Sequence, residues 1–243
     1  MIDSIRFHRA GISLGVAVVL TVAVGVAAAK ADDNQPRVFP LASAPYGNTY
    51  GEWTARWWQW LLSIAADKNP NLDTTGQHCA EGQAGPVWFL AGSFGGSFTR
   101  SCTVPAGKAL LLPIQNTIFG AGVFDCTPTV PDVLCDLNAI RQSAAANQDD
   151  PQRLEAKVDS SRVENPRDFR VQSPVILLTY PDGNVVSFLF GAPVPGGTYT
   201  PNVSDGYWLF LPPLSKGKHT IRTRAVAANG FSVAMTFHLT IGE

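Results

Sequence analysis

The side chains best equipped for chemistry in this sequence are its tryptophans, five of which fall between positions 53 and 88 of 243 residues. Trp53, Trp57 and Trp60 recur at i, i+4 and i+7, and Leu61 and Ile64 continue the same stripe, so a helix would carry them on one face. Trp58 and Leu62 widen it. Such a surface does one of two things. It covers a sheet as plain core, or it lines a groove where indole faces stack on sugar rings or apolar ligands while polar groups fix orientation. On the second reading the ligand-binding set is Glu52, Trp53, Arg56, Trp57, Trp60, Trp88 and Asp205, with Gln59 available beside them.

Other constellations compete. A secreted hydrolase with carboxylate chemistry would draw on Glu52, Glu81 or Asp205 with His78, because glycosidases pair two carboxyls from distant parts of a chain. His78, Glu81 and Asp73 form either a small acid–base group or a solvated loop. Ala91-Gly92-Ser93-Phe94-Gly95 approximates a nucleophile elbow, yet strand signals follow it where that motif needs a helix, so Ser93 reads as a turn residue. Gly120-Ala121-Gly122 lacks the third glycine of a nucleotide fingerprint. No metal site and no cofactor is expected.

The four cysteines are Cys79, Cys102, Cys126 and Cys135. An even count in an exported chain implies disulfides, and of three connectivities the sequential one, Cys79–Cys102 and Cys126–Cys135, closes the shortest loops. A zinc site built on His78 and these thiols is the alternative, opposed by the lack of any C-x-x-C spacing. Export itself is read from residues 1–31. Arg6 and Arg9 precede an uncharged run from Gly11 to Ala29, and Ala29-Lys30-Ala31 offers a cleavage site after Ala31. A retained membrane anchor is the competing reading of that run. No later stretch is apolar enough to span a bilayer.

These groups need elements to position them. Residues 32–47 read as an irregular, exposed lead-in, and residues 48–243 as one β-rich domain, with a subdivision conceivable near position 150. Thr49 and Glu52 fit a capping box that starts the Trp-rich helix. Val87 to Ala91 reads as a strand buried on both faces. In 97–104, Phe98, Arg100, Cys102 and Val104 share the apolar face, so Arg100 is a misplaced charge that needs a carboxylate, with Glu52 or Asp205 as partner, or a route to water. Residues 131–147 read as a second helix, and 153–159 alternate as a half-exposed strand. Val175 to Tyr180 and Val185 to Phe190 flank Pro181-Asp182-Gly183-Asn184 like the arms of a hairpin.

The last hairpin admits a register argument. A two-residue Asn229-Gly230 turn would set Arg222 and Arg224 over the core. A three-residue loop, Ala228-Asn229-Gly230, instead pairs Ile221 with Phe237 and Ala225 with Val233, so the alternation selects it.

Composition frames the whole. Charged residues are 15%, against roughly 25% in ordinary domains, hydrophobic residues are 45%, and the net charge is −1. That excludes disorder, and with no block of Lys or Arg it gives nucleic acid no footprint in the sequence. The fold class expected is mainly β with two helices: an antiparallel β-sandwich or jelly-roll with the Trp-rich helix packed on it. At Tyr50-Gly51-Glu52-Trp53-Thr54-Ala55-Arg56-Trp57-Trp58-Gln59-Trp60, Gly85-Pro86-Val87-Trp88-Phe89-Leu90-Ala91-Gly92, Cys102-Thr103-Val104-Pro105-Ala106-Gly107-Lys108 and Ser204-Asp205-Gly206-Tyr207-Trp208, the chain resembles a group of exported bacterial proteins of uncharacterised function. The resemblance implies a secreted or periplasmic protein and transfers no catalytic residue. The function expected is a binding module for a glycan or apolar ligand. A carboxylate hydrolase and a structural envelope or matrix component are the alternatives, and the sequence sets no oligomeric state.

Overall fold

A computed structural model of the chain describes residues 36–122 and 136–242. The expected signal segment 1–31, Cys126, Cys135 and the first positions of the expected second helix lie outside the described residues. In chain order the elements are α1 (Tyr50–Leu62), β1 (Val87–Phe89), β2 (Gly96–Pro105), β3 (Ala109–Gly120), α2 (Leu137–Ala146), β4 (Arg153–Val158), β5 (Ser161–Arg162), β6 (Arg170–Gln172), β7 (Ile176–Tyr180), α3 (Val185–Phe190), β8 (Gly197–Leu211), β9 (Gly217–Val226) and β10 (Ser232–Gly242).

The fold is mainly β, two sheets with the Trp-rich helix packed on them. The first sheet runs β1-β3-β8, with β6 and β7 both along the far edge of β8; the second runs β2-β10-β9-β4-β5. Alternation decides the layering. Along β8, Trp208 and Phe210 face α1, while Tyr207, Leu209 and Leu211 face the second sheet. Val87 and Phe89 likewise join the α1 side, and Trp88 and Leu90 the inter-sheet side, which is why this segment is apolar at every position. The first sheet is thus the middle of three layers. Where the second sheet ends, α2 continues the cover, its Ile140 and Ala144 against Val203.

The capping box of α1 is present. The Thr49 hydroxyl accepts the Glu52 N–H at 3.3 Å, and the Glu52 carboxylate accepts the Thr49 N–H at 2.7 Å. The last hairpin has the register selected above, with Ile221 opposite Phe237 and Ala225 opposite Val233. Gly230 turns it at φ 86°, a left-handed conformation that favours glycine.

Four expectations change. The sheets are mixed, since β1 pairs β3 in parallel and β2 pairs β10 in parallel. Parallel neighbours need a crossover connection, and β2 in the other sheet supplies it between β1 and β3. Residues 185–190 form α3, a third helix and not a hairpin arm. Asn184 caps it by accepting the Ser187 N–H at 2.9 Å, and Gly191 closes it at φ 62°. The second helix begins at Leu137, with Asp136 as its cap. The lead-in is irregular yet pinned: the Phe39 N–H donates to the Phe210 carbonyl at 2.8 Å, and the two rings meet edge to face at 5.0 Å.

Candidate functional site

The tryptophan stripe is core. Trp53, Trp57, Trp60 and Trp88 are each no more than 7% exposed. The indole N–H groups of α1 are also committed: Trp53 donates to the Pro45 carbonyl at 2.7 Å, Trp57 to Leu90 at 3.0 Å and Trp60 to Glu81 at 2.8 Å. The polar candidates are occupied too. Glu52 caps its helix, its carboxyl held below the usual range by the Thr49 N–H and hydroxyl. Arg56 lies over the Trp53 ring at 5.3 Å and donates to Asn48. Asp205 lies on the opposite face of the sheet from α1, where Arg170 bonds it at 2.9 Å and Gln172 at 3.2 Å. Burial pushes the Asp205 carboxyl up and Arg170 opposes it. Glu52 and Asp205 are therefore separated by the sheet and share no cleft.

Arg100 is buried, as its place on the apolar face requires, but neither Glu52 nor Asp205 is its partner. Its guanidinium donates to three main-chain carbonyls, Ala91 at 2.6 Å, Gly92 at 2.7 Å and Asn71 at 3.2 Å. Burial pulls its pKa down to about 10, the charge of Asp73 opposing. Asp73 in turn accepts the main-chain N–H groups of Thr75 at 2.8 Å and His78 at 2.9 Å. Burial raises the Asp73 carboxyl, but these donors outweigh it and hold the pKa low. The His78 ring contacts Gln77, so Asp73 and His78 do not form an acid–base pair through their side chains. Gly76 sits at φ +97° against β2, where an added Cβ would meet the Ser101 carbonyl oxygen at 2.2 Å. The Cys79–Cys102 bridge fastens the same loop. Ser93 occupies the turn between β1 and β2, its hydroxyl on the Gly95 carbonyl.

One further trio has catalytic spacing. The His219 Nδ1 lies 2.8 Å from Asp159, and Nε2 lies 3.2 Å from the Ser215 hydroxyl. Nε2 is closer still, at 2.9 Å, to the Ser215 carbonyl, which only accepts, so it is not placed to take the hydroxyl proton. Asp159 also accepts the Thr220 N–H at 2.8 Å. The trio ties the β4–β5 turn to the start of β9.

What the fold does assemble lies beneath the other side of α1. Trp58 and Leu62 of α1, Asn116 and Ile118 of β3, Val186, Leu189 and Phe190 of α3, and Phe94 line an open-mouthed cavity of about 330 Å³. A β-bulge builds it. Ala109 and Leu111 of β3 face α1, but between Pro113 and Gln115 the register with β8 shifts, and beyond it the even-numbered Ile118 faces α1. That extra residue re-aims Asn116 into the cavity and sends Gln115 to the other face, against Gln148. Gly206 stands opposite Asn116, where a Cβ would meet the Gln115 carbonyl oxygen at 2.6 Å and Asn116 at 2.7 Å. Ser204 accepts the Trp58 indole N–H at 2.7 Å and fixes that ring as a wall. The Asn116 Nδ2 is buried and has no hydrogen-bond partner.

Sequence reasoning placed Trp58 only as an extension of the core stripe and passed over Asn116. The bulge was the missing signal, because without it period-2 alternation puts Asn116 on the wrong face. Comparison of the chain with protein-family models, with curated proteins and with solved structures returns no match.

Proposed function

We propose that this chain is an exported binding protein whose ligand is a small apolar molecule with one hydrogen-bond acceptor, held in the Trp58 cavity. The observation that carries the reading is Asn116, which lines the cavity among apolar side chains and whose buried Nδ2 has no hydrogen-bond partner. A buried donor left bare costs about 1–3 kcal/mol, and a ligand carbonyl, carboxylate or hydroxyl oxygen recovers that. The walls supply affinity by burial, at roughly 25 cal/mol per Å². A cavity of about 330 Å³ is at the small end for such sites, which suits a short alkyl chain or a single ring system. A sugar would bring several hydroxyls, and Asn116 and Thr117 are the polar residues that line the cavity. Export rests on the apolar run before Ala31 and agrees with the Cys79–Cys102 bridge, which persists in an oxidising compartment.

The test is a calorimetric and fluorescence titration of the full chain with octanoate, 1-octanol and acetophenone, repeated on Asn116→Leu and Trp58→Phe. Wild type should bind at least one of them with a change in indole emission that Trp58→Phe removes. Asn116→Leu should weaken that ligand about 5- to 20-fold, the equivalent of one lost hydrogen bond. A flat response to all three, or unchanged affinity in Asn116→Leu, contradicts the proposal.

A further inference from the structure

On the outward face of the second sheet, cations outnumber the carboxylates that could balance them. Strand register sets Arg162 of β5 beside Lys157 of β4, and Lys157 beside Arg222 of β9, three cations in one row across the sheet. The next row places Arg224 opposite Glu155, and Arg153 follows at the strand end. Glu155 is the one carboxylate at an outward position of these strands, and it is bonded to Arg153 at 3.0 Å. Its carboxyl is held low by that bond first and by the fields of Arg153, Arg162 and Arg224, which converge on it. Like charges directly opposite each other on neighbouring strands destabilise a sheet, so the row Arg162–Lys157–Arg222 costs stability until an anion covers it. The chain as a whole is slightly acidic, with net charge −1, so this concentration of cations is a local feature.

The same rows continue onto hydroxyls. Arg222 is opposite Thr236, and Thr236 is opposite Thr99; Thr220, His238 and Ser101 form the next row, and Lys218, Thr240 and Thr103 the one after. Two concavities lie at this face, one of about 440 Å³ bounded by Lys218, His238 and Thr240, and one of about 460 Å³ bounded by Ser97 and Arg224. His238 is the one aromatic ring at an outward position on these strands, where no Phe, Tyr or Trp stands. Single-stranded nucleic acid needs a run of stacking platforms, which one imidazole does not supply, and a membrane surface rewards large apolar groups that enter it, which the outward positions of this face lack. Its cations match carboxylates, and its rows of Ser, Thr and His match sugar hydroxyls.

We infer that the outer face of the second sheet binds an acidic polysaccharide along the rows that run from Arg162, Lys157 and Arg222 to Thr236 and Thr99. This surface is separate from the Trp58 cavity, and either can fail without the other. The experiment is binding of the full chain to polygalacturonate at low and high NaCl, with neutral dextran, a single-stranded oligonucleotide and phosphatidylglycerol vesicles as comparison probes. Polygalacturonate should bind, and its affinity should fall as salt screens the charges. The double variant Lys157→Ser, Arg222→Ser should bind about tenfold or more weakly and should melt no lower than wild type, because a like-charge contact has been removed. Lys108→Ser, off these strands and with its ammonium on the Gly85 carbonyl, should bind like wild type. The inference is overturned if the double variant keeps its affinity, if dextran binds equally well, or if the oligonucleotide or vesicles bind while polygalacturonate does not.

Discussion

Arg100 and Asn116 show at single-residue scale how far a sequence can be read. The charge on the apolar face of β2 was visible, and so was its need for a partner. The partner was not, because it is a set of bare main-chain carbonyls, and a sequence displays only side chains. Removing the guanidinium leaves the Ala91, Gly92 and Asn71 carbonyls unsatisfied. Arg100→Leu should therefore destabilise the chain by about 2–4 kcal/mol in a urea titration, and an unchanged midpoint would contradict that role. Asp73 gives a pH dependence with a definite sign. Folding lowers its pKa, so as pH falls the unfolded chain takes up this proton first. Its contribution is complete above the ordinary carboxyl value of about 3.9 and is lost as pH drops through the lower folded value. The melting temperature of Asp73→Asn should lie below that of wild type at about pH 6 and approach it by about pH 2, the gap closing as the linkage is removed. Gly206→Ala forces a Cβ onto the bulge, so it should impair binding in the Trp58 cavity much as Asn116→Leu does.

At the scale of elements, legibility followed length and period. The register of β9 and β10 was fixed by an eleven-residue alternation, since a one-residue slip would bury two arginines. Helix α1 announced itself by its stripe and its capping box, and Thr49→Ala should cost about 1 kcal/mol, read as a shift in the denaturation midpoint. Helix α3 has six residues, too few to show a helical period. Its β-branched start favoured a strand, and only Asn184 and Gly191 marked its ends. The cationic row was invisible for a different reason: Lys157, Arg162 and Arg222 lie on three strands, and pairing alone brings them together. The Cys79–Cys102 bridge spans 23 positions, so Cys79→Ser with Cys102→Ser should lower stability by about 3 kcal/mol, chiefly by freeing the unfolded chain.

The described residues form a sandwich with a helix laid on the free face of the first sheet, and the fold class was legible in apolar runs such as β1 and the first half of β3, which are buried at every position. The candidate binding residues of α1 lie on its buried stripe, whereas the cavity lies where Trp58 and Leu62 meet α3 and the bulged half of β3. Among the described residues no helix is long and apolar enough to cross a membrane. Phe94, Leu189 and Phe190, exposed at 41%, 37% and 50%, form an apolar rim to the cavity. The most direct measurement is the set of intermolecular nuclear Overhauser effects between the full chain and the tightest of the three probe ligands. The account predicts contacts from the apolar part of the ligand to the Trp58 indole and the Ile118 methyls, with its oxygen-bearing end near the Asn116 amide. Contacts confined to some other surface, or none to Trp58 and Ile118 at saturating ligand, would contradict it.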